Sequence, residues 1–479
     1  MMRTLVFIVA ALLAGCALKA PITHTELVDQ ALPQGTHIPP TWKADSNVRP
    51  VEDDWLKSFN DPMLDAIVAE AIANNLDLRQ AADRVIIAQQ NVIVAGAQLL
   101  PQVGVQLGAT TVRDKDQNSD FNSSLVYAGV AWELDIWGRL RAQRAASEAA
   151  YEATALDYAY ARQSLAALTA KSWYLAIEAR QLVGLAEQSV KIFSDLLELV
   201  QVRRSAGKDS DLDVVDTRAR LDTARSALQE ALEAYGEAQR ALEVLLGRYP
   251  AAELAVASDY PLLPPPAGAG VPASLLERRP DIIAAERVVL AAFRQQEAAE
   301  LALLPDFSIS FGGGRAGSQV LSLLRLNPWF AAAGIGVSIP IYEGGALRAQ
   351  VAIATAQQAQ AVARYGSVAL TAFREAENAL ANEQLLTNRV PFESRALADR
   401  TAAVEIATIQ YRAGRRDLLW VAQLQSEQIA TEASLIKLKS LQGANRIRLH
   451  LALGGSFDAL PAATFPSLSA NQPSTGTEQ

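Results

Sequence analysis

The chain of 479 residues has one cysteine, Cys16, and only three histidines, His24, His37 and His450. A single thiol excludes an intrachain disulfide, and three scattered histidines beside it do not have the spacing of a zinc site. The sequence also lacks a Ser-His-Asp arrangement, a phosphate-binding loop and a metal-ligand cluster, so it reads as a non-enzyme with no cofactor. Paired carboxylates such as Asp53-Asp54 read as surface charge. Positive charge is in deficit, with 43 Lys and Arg against 52 Asp and Glu and a net charge of -9. That balance argues against a nucleic-acid partner. Beyond the N-terminus no apolar run reaches the roughly 18 residues of a membrane-spanning helix, so any membrane contact falls to a lipid, a β-barrel or both.

What is present starts with Arg3, an apolar run over 5–13, and Leu13-Ala14-Gly15-Cys16. A charged start, a short apolar stretch and small residues before a cut site form a secretory signal, here 1–15. A lone thiol in an exported chain calls for a use, and Leu13-Ala14-Gly15-Cys16 resembles the bacterial lipobox. The resemblance implies that Cys16 is acylated as the first mature residue. Ala17 stands where an Asp would imply retention at the inner membrane, which implies the outer membrane and its lipid. One acyl chain anchors weakly, but several hold firmly.

The chain is a tandem repeat. Leu99-Leu100-Pro101-Gln102-Val103-Gly104 reads like Leu303-Leu304-Pro305-Asp306-Phe307-Ser308, and Gly138-Arg139-Leu140-Arg141-Ala142 like Gly345-Ala346-Leu347-Arg348-Ala349. Val202-Arg203-Arg204-Ser205-Ala206-Gly207 aligns with Ile409-Gln410-Tyr411-Arg412-Ala413-Gly414, and Leu245-Leu246-Gly247 with Ala452-Leu453-Gly454. Matches in one order, at one offset of roughly 205 residues, divide the chain. A lipid-anchored segment over 16–60 precedes a first copy over 61–250. A Pro-rich linker over 251–272, stiff and extended, leads to a second copy over 273–455. The segment 456–479, rich in Ser, Thr, Pro and Asn, is expected to be a disordered tail.

Each copy predicts helix, strand, strand, very long helix, turn, helix. The first helix is expected over 61–99, ended by Pro101. Strand pairs follow over 102–133 and 306–341. Val103, Val105 and Leu107 alternate with Gly104, Gln106 and Gly108, and Ile335, Val337 and Ile339 with Gly334, Gly336 and Ser338. Short strands with one apolar and one small or polar face fit an outer-membrane barrel, although each alone also fits a half-buried soluble sheet. Four strands cannot close such a barrel, and an open edge in lipid is excluded. The barrel must therefore be shared: two chains would give a filled barrel of eight strands, three a water-holding one of twelve.

The segment 139–205 has no proline and one glycine, Gly184. As one helix it would be about 100 Å long. Leu175, Ala179, Leu182, Ala186, Ser189, Phe193, Leu196 and Val200 repeat at steps of four and three, a heptad seam with one polar member. Its partner is expected over 211–247. The second copy repeats the pair over 346–412 and 417–453, with Pro391 expected to interrupt and kink the longer helix. Helices this long suit an extended tube of coiled helices. The fold class is thus a membrane β-barrel joined to a long α-helical coiled-coil barrel.

The motifs resemble the TolC family of outer-membrane efflux channels, in its lipoprotein branch of OprM-like and NodT-like proteins. They are Asn74-Asn75-Leu76-Asp77-Leu78-Arg79, Trp132-Glu133-Leu134-Asp135-Ile136-Trp137-Gly138-Arg139-Leu140-Arg141, Leu276-Glu277-Arg278-Arg279-Pro280-Asp281-Ile282, Pro340-Ile341-Tyr342-Glu343-Gly344-Gly345 and Tyr411-Arg412-Ala413-Gly414. The resemblance implies a homotrimer with a 12-stranded barrel and a periplasmic helical tunnel. It also implies docking to a periplasmic adaptor and an inner-membrane transporter of the resistance–nodulation–division (RND) class. Function follows as a passive exit duct for drugs or other small molecules. A type I protein secretion duct of the same fold is the nearest alternative, and a periplasmic coiled-coil scaffold a more distant one.

The turns at Ala206-Gly207-Lys208 and Ala413-Gly414-Arg415 are then expected at the periplasmic mouth. Gly207 and Gly414 suit left-handed C-caps, and Asp211 and Asp417 suit helix starts. Pure turn and cap chemistry is the alternative role for these residues. Lys208, Tyr411, Arg412, Arg415 and Arg416 complete the candidate aperture and adaptor contact. The family commonly carries acidic residues near the second turn, where this chain has Arg415 and Arg416, leaving Asp417 as the expected member of any acidic ring. The arginines are expected either to favour anions at the mouth or to pair with aspartates of a neighbouring turn.

Overall fold

The computed structural model describes residues 18–45, 49–114, 119–317 and 329–458. The signal segment, Cys16, the middle of the first strand loop and the tail from 459 lie outside them. The order is α1 (His24–Ala31), α2 (Trp55–Ser58), α3 (Pro62–Asn74), α4 (Leu76–Ala97), β1 (Gln102–Asp114), β2 (Ser119–Leu134), α5 (Arg139–Ser205) and α6 (Asp211–Leu245). Then come α7 (Pro272–Arg278), α8 (Pro280–Leu301), β3 (Asp306–Gly317), β4 (Phe330–Ser338), α9 (Ala346–Arg412) and α10 (Leu418–Ala452). The repeat is visible in the lengths: α4 and α8 have 22 residues each, α5 and α9 have 67, α6 and α10 have 35. No described helix is long and apolar enough to cross a membrane.

The chain divides into two compact units. One comprises Met1–Thr36, Asp83–Leu156 and Asp281–Val368. It holds one antiparallel sheet in the order β1-β2-β3-β4. Gly129 at the centre of β2 faces Gly104 on one side and Gly312 on the other. Among the described residues β1 and β4 are edges with no partner. The alternating apolar side chains lie bare: Val103 is 78% and Ile335 80% exposed. Burying such surface is worth about 25 cal/mol per Å², so a sheet this bare needs a solvent other than water or a further partner. The Trp132-to-Arg141 motif forms the corner where strand becomes helix. The Asp135 carboxylate accepts from the backbone N–H of Leu140 and Arg141 at 2.9 and 3.0 Å, supplying the start of α5 with an acceptor. Trp132 and Trp137 donate their indole N–H to the carbonyls of Leu99 and Pro305 at 2.9 and 2.8 Å. The N-terminal stretch is tied to α8: Glu297 accepts from the Lys19 backbone at 2.6 Å, Arg294 donates to the Lys19 carbonyl at 2.8 Å, and the Lys19 ammonium pairs with Glu300.

The other unit comprises His37–Ala82, Asp157–Pro280 and Ala369–Gln479. Its core gathers Trp173, Tyr174 and Ile177 of α5 with Trp55, Phe59, Leu64, Leu242, Leu246 and Ile447. The expected single helix over 61–99 is two helices. Asn75 adopts an extended backbone, its side-chain oxygen accepts from Asp77 and Leu78 N–H at 3.0 Å each, and its amide donates to the Leu245 carbonyl at 3.1 Å. Asparagine competes for backbone partners and so ends one helix and caps the next. The heptad seam holds at its lower end, where Ser189, Phe193, Leu196 and Val200 are buried. At its upper end it shifts, because the larger Trp173, Tyr174 and Ile177 take the core and leave Leu175 54% exposed. Pro391 does not interrupt α9, which stays helical from Ala346 to Arg412. A proline removes one backbone bond, and the many remaining turns of so long a helix carry it past that loss.

Candidate functional site: the paired helix turns

Two turns close the helix pairs α5–α6 and α9–α10, and each is built the same way. Gly207 has φ of +69° and Gly414 +72°. The N–H of Lys208 reaches back to the Arg203 carbonyl and that of Arg415 to the Gln410 carbonyl, both at 2.9 Å. These are Schellman C-caps, whose left-handed residue is best supplied by glycine. The helix starts differ. Asp417 is the N-cap of α10 and accepts from the Trp420 N–H at 2.9 Å. Before α6 the cap is Ser210, in a capping box with Asp213, and Asp211 is the first helical residue, at the helix start as expected. Asp211 also pairs with Arg204 at 2.6 Å, both well exposed.

A half-buried knot joins the two turns. Asp209 accepts from Arg203 Nε at 3.0 and 3.2 Å and from the Tyr411 hydroxyl at 2.5 Å. The Arg203 guanidinium lies 4.4 Å from the centroid of the Tyr411 ring, a cation–π contact. Tyr411 is 1% exposed. Burial, then the hydrogen bond to Asp209, pushes its phenol well above the usual range, so it stays a donor. The bond to Asp209 likewise raises Arg203 and keeps it cationic. Beneath the knot, Phe193, Leu196, Val200, Val214, Leu418 and Val421 pack as a shared apolar cluster.

Of the sequence-chosen residues, Tyr411 belongs to the knot. Gly207 and Gly414 make the turns, and Asp417 caps a helix. Lys208, Arg412, Arg415 and Arg416 line an open cleft of about 790 Å³ with Asp209 and Asp213. Arg416 donates to Gln410 at 3.4 Å and stacks 5.3 Å from the Trp420 ring centroid. Among the described residues neither Arg415 nor Arg416 forms an ion pair with an aspartate of this chain. Arg203, Asp209, Ser210 and Asp213 were not singled out from sequence. Superposing the repeats would have flagged Asp209, since its counterpart is the oppositely charged Arg416.

Residues 67–248 and 271–455 match the outer membrane efflux protein family. The pyoverdine export outer membrane protein OpmQ of Pseudomonas aeruginosa is 29% identical, over 96% of this chain and 98% of its own length. The cation efflux system protein CusC of Escherichia coli is 26% identical, over 95% of this chain and 99% of its own. The solved structure of the outer-membrane channel OprN superposes with a TM-score of 0.80 at 26% identity, covering 89% of this chain and 99% of that one. With both copies of its repeat matched, the chain belongs to the outer membrane efflux protein family.

Proposed function

We propose that three copies of this outer-membrane efflux component close one duct, through which drugs or other small molecules leave the cell. The observation that carries the reading is the four-stranded sheet, whose edges β1 and β4 have no partner among the described residues and whose apolar side chains are bare. Lipid does not tolerate an open edge, and one chain has too few strands to close a barrel. Three sheets joined edge to edge give twelve. The paired turns form the periplasmic mouth in this reading, with the Arg203–Asp209–Tyr411 knot holding its two hairpins together. A periplasmic adaptor and an RND-class pump of the inner membrane deliver the cargo, and lipid on Cys16 anchors each chain. The test combines two measurements. The detergent-purified protein should have the mass of a trimer. A deletion strain should become more drug-susceptible and accumulate a fluorescent efflux substrate, both reversed by the cloned gene. A monomer together with unchanged accumulation would overturn the reading.

A further inference from the structure

The two turns share a backbone but not a charge. A shift of 207 residues, the spacing between the starts of α5 and α9, carries Arg203 onto Gln410, Gly207 onto Gly414, Asp209 onto Arg416 and Asp213 onto Trp420. In the first copy Arg203 donates to the Asp209 carboxylate across the turn. In the second the polarity is reversed: Arg416 donates to Gln410, and the acceptor is a neutral carboxamide. The remaining charges follow suit. From 203 to 213 there are three cations, Arg203, Arg204 and Lys208, against Asp209, Asp211 and Asp213, a net charge of zero. Arg203 and Arg204 are both ion-paired there. From 410 to 420 there are Arg412, Arg415 and Arg416 against Asp417 alone, a net charge of +2. Asp417 is engaged by its own helix, and among the described residues none of the three arginines has a carboxylate partner. All three are exposed and line one cleft.

We infer that the second turn is a cationic collar that makes the mouth select for anions, so that negatively charged solutes such as carboxylates are gathered at the periplasmic entrance. The inference rests on the reading of these turns as the mouth of a trimeric duct. Charges inside a narrow opening lie within a Debye length of passing ions, about 8 Å at physiological salt, and low-dielectric walls focus their field. Rings of arginine or lysine are how pores favour anions. Arg416 over Trp420 also offers an aromatic face beside the charge, which suits carboxylates carrying a ring.

The experiment is reversal-potential measurement on purified full-length protein in planar bilayers under a KCl gradient, with no adaptor or pump present. Wild type should reverse on the chloride side. Arg412→Gln, Arg415→Gln and Arg416→Gln combined should move the chloride-to-potassium permeability ratio severalfold toward potassium. Gln410→Glu, which keeps every arginine but gives Arg416 a carboxylate, should move it the same way by less. It tests the collar even if the triple variant fails to insert. Conductance that reverses on the potassium side in wild type, or is unmoved by Gln410→Glu and by the triple variant, overturns the collar alone. No conductance from wild type would overturn the duct reading, and the collar with it.

Discussion

His450 on α10 is 3% exposed, its ring stacked on Trp55 at 5.6 Å, and among the described residues neither ring nitrogen has a hydrogen-bond partner. Burial first, then the nearby Arg446 guanidinium, lowers its pKa from 6.5 to about 4. In the unfolded chain it titrates near its ordinary value. The unfolded state therefore binds the proton first as pH falls. The stability owed to neutral His450 is whole above pH ~6.5 and is lost progressively as pH falls toward 4, up to about 3 kcal/mol per chain. Thermal melts at neutral pH and near pH 4 should show wild type losing more than His450→Gln; equal losses would exclude His450 as the sensor. Arg446 itself is held by a buried pair with Glu383 at 2.5 Å, and Glu383 also accepts from Asn445 at 3.2 Å. The added proton thus meets a cation fixed in place. None of this was legible in sequence, where His450 is one histidine among Arg446, Arg448 and Leu449. The knot at the turns was hidden for a related reason. Tyr411 and Asp209 are 202 positions apart, and no local pattern joins them.

At the scale of elements, packing decides against propensity at Gly443 of α10. Alanine would add up to about 1 kcal/mol of intrinsic helix stability there. A Cβ at that position would lie 2.1 Å from the ring of Tyr174, a side chain fully buried on α5. Tyr174 cannot step aside, since it is stacked on Tyr260 at 5.8 Å and edge-on to Phe59 at 6.2 Å. Overpacking of this kind costs roughly 1–3 kcal/mol, so the steric term wins. Gly443→Ala should lower the melting temperature, and Tyr174→Leu beside it should recover part of the loss. A stabilised single variant would show that the helices slide apart freely. The elements themselves were largely readable. α5 and α6 were visible as proline-free runs of good helix formers, and Gly207 and Gly414 punctuated both copies in the same place. The break at Asn75 was not, because the polar pair Asn74-Asn75 within a helical stretch reads as exposed positions. Only the Leu245 carbonyl across the fold reveals its second role. The seam failed at Leu175 for a similar reason: its spacing was right, but bulkier neighbours out-competed it for the core.

For the whole molecule, the question that the proposed lipid on Cys16 raises is how the work of holding the membrane would divide between lipid and protein. In the proposed trimer each chain supplies four strands, bare along their apolar faces and closed only by neighbours. Each acyl chain adds about 0.8 kcal/mol per buried CH₂, and a single myristoyl-length chain binds only reversibly. A closed barrel has no comparable escape, since leaving the bilayer exposes its whole apolar belt to water. The stretch around Lys19 is in any case fastened to the protein, through Lys19 on Glu297, Glu300 and Arg294. The proposed lipid at Cys16 should then guide delivery and insertion more than it retains the finished duct. Cys16→Ala behind an ordinary cleavable signal should give less protein at the outer membrane, yet efflux of a fluorescent substrate per channel close to wild type, read by immunoblot of membrane fractions beside whole-cell accumulation. Complete loss of efflux at normal outer-membrane levels would mean that the lipid is part of the working channel and not only its means of arrival.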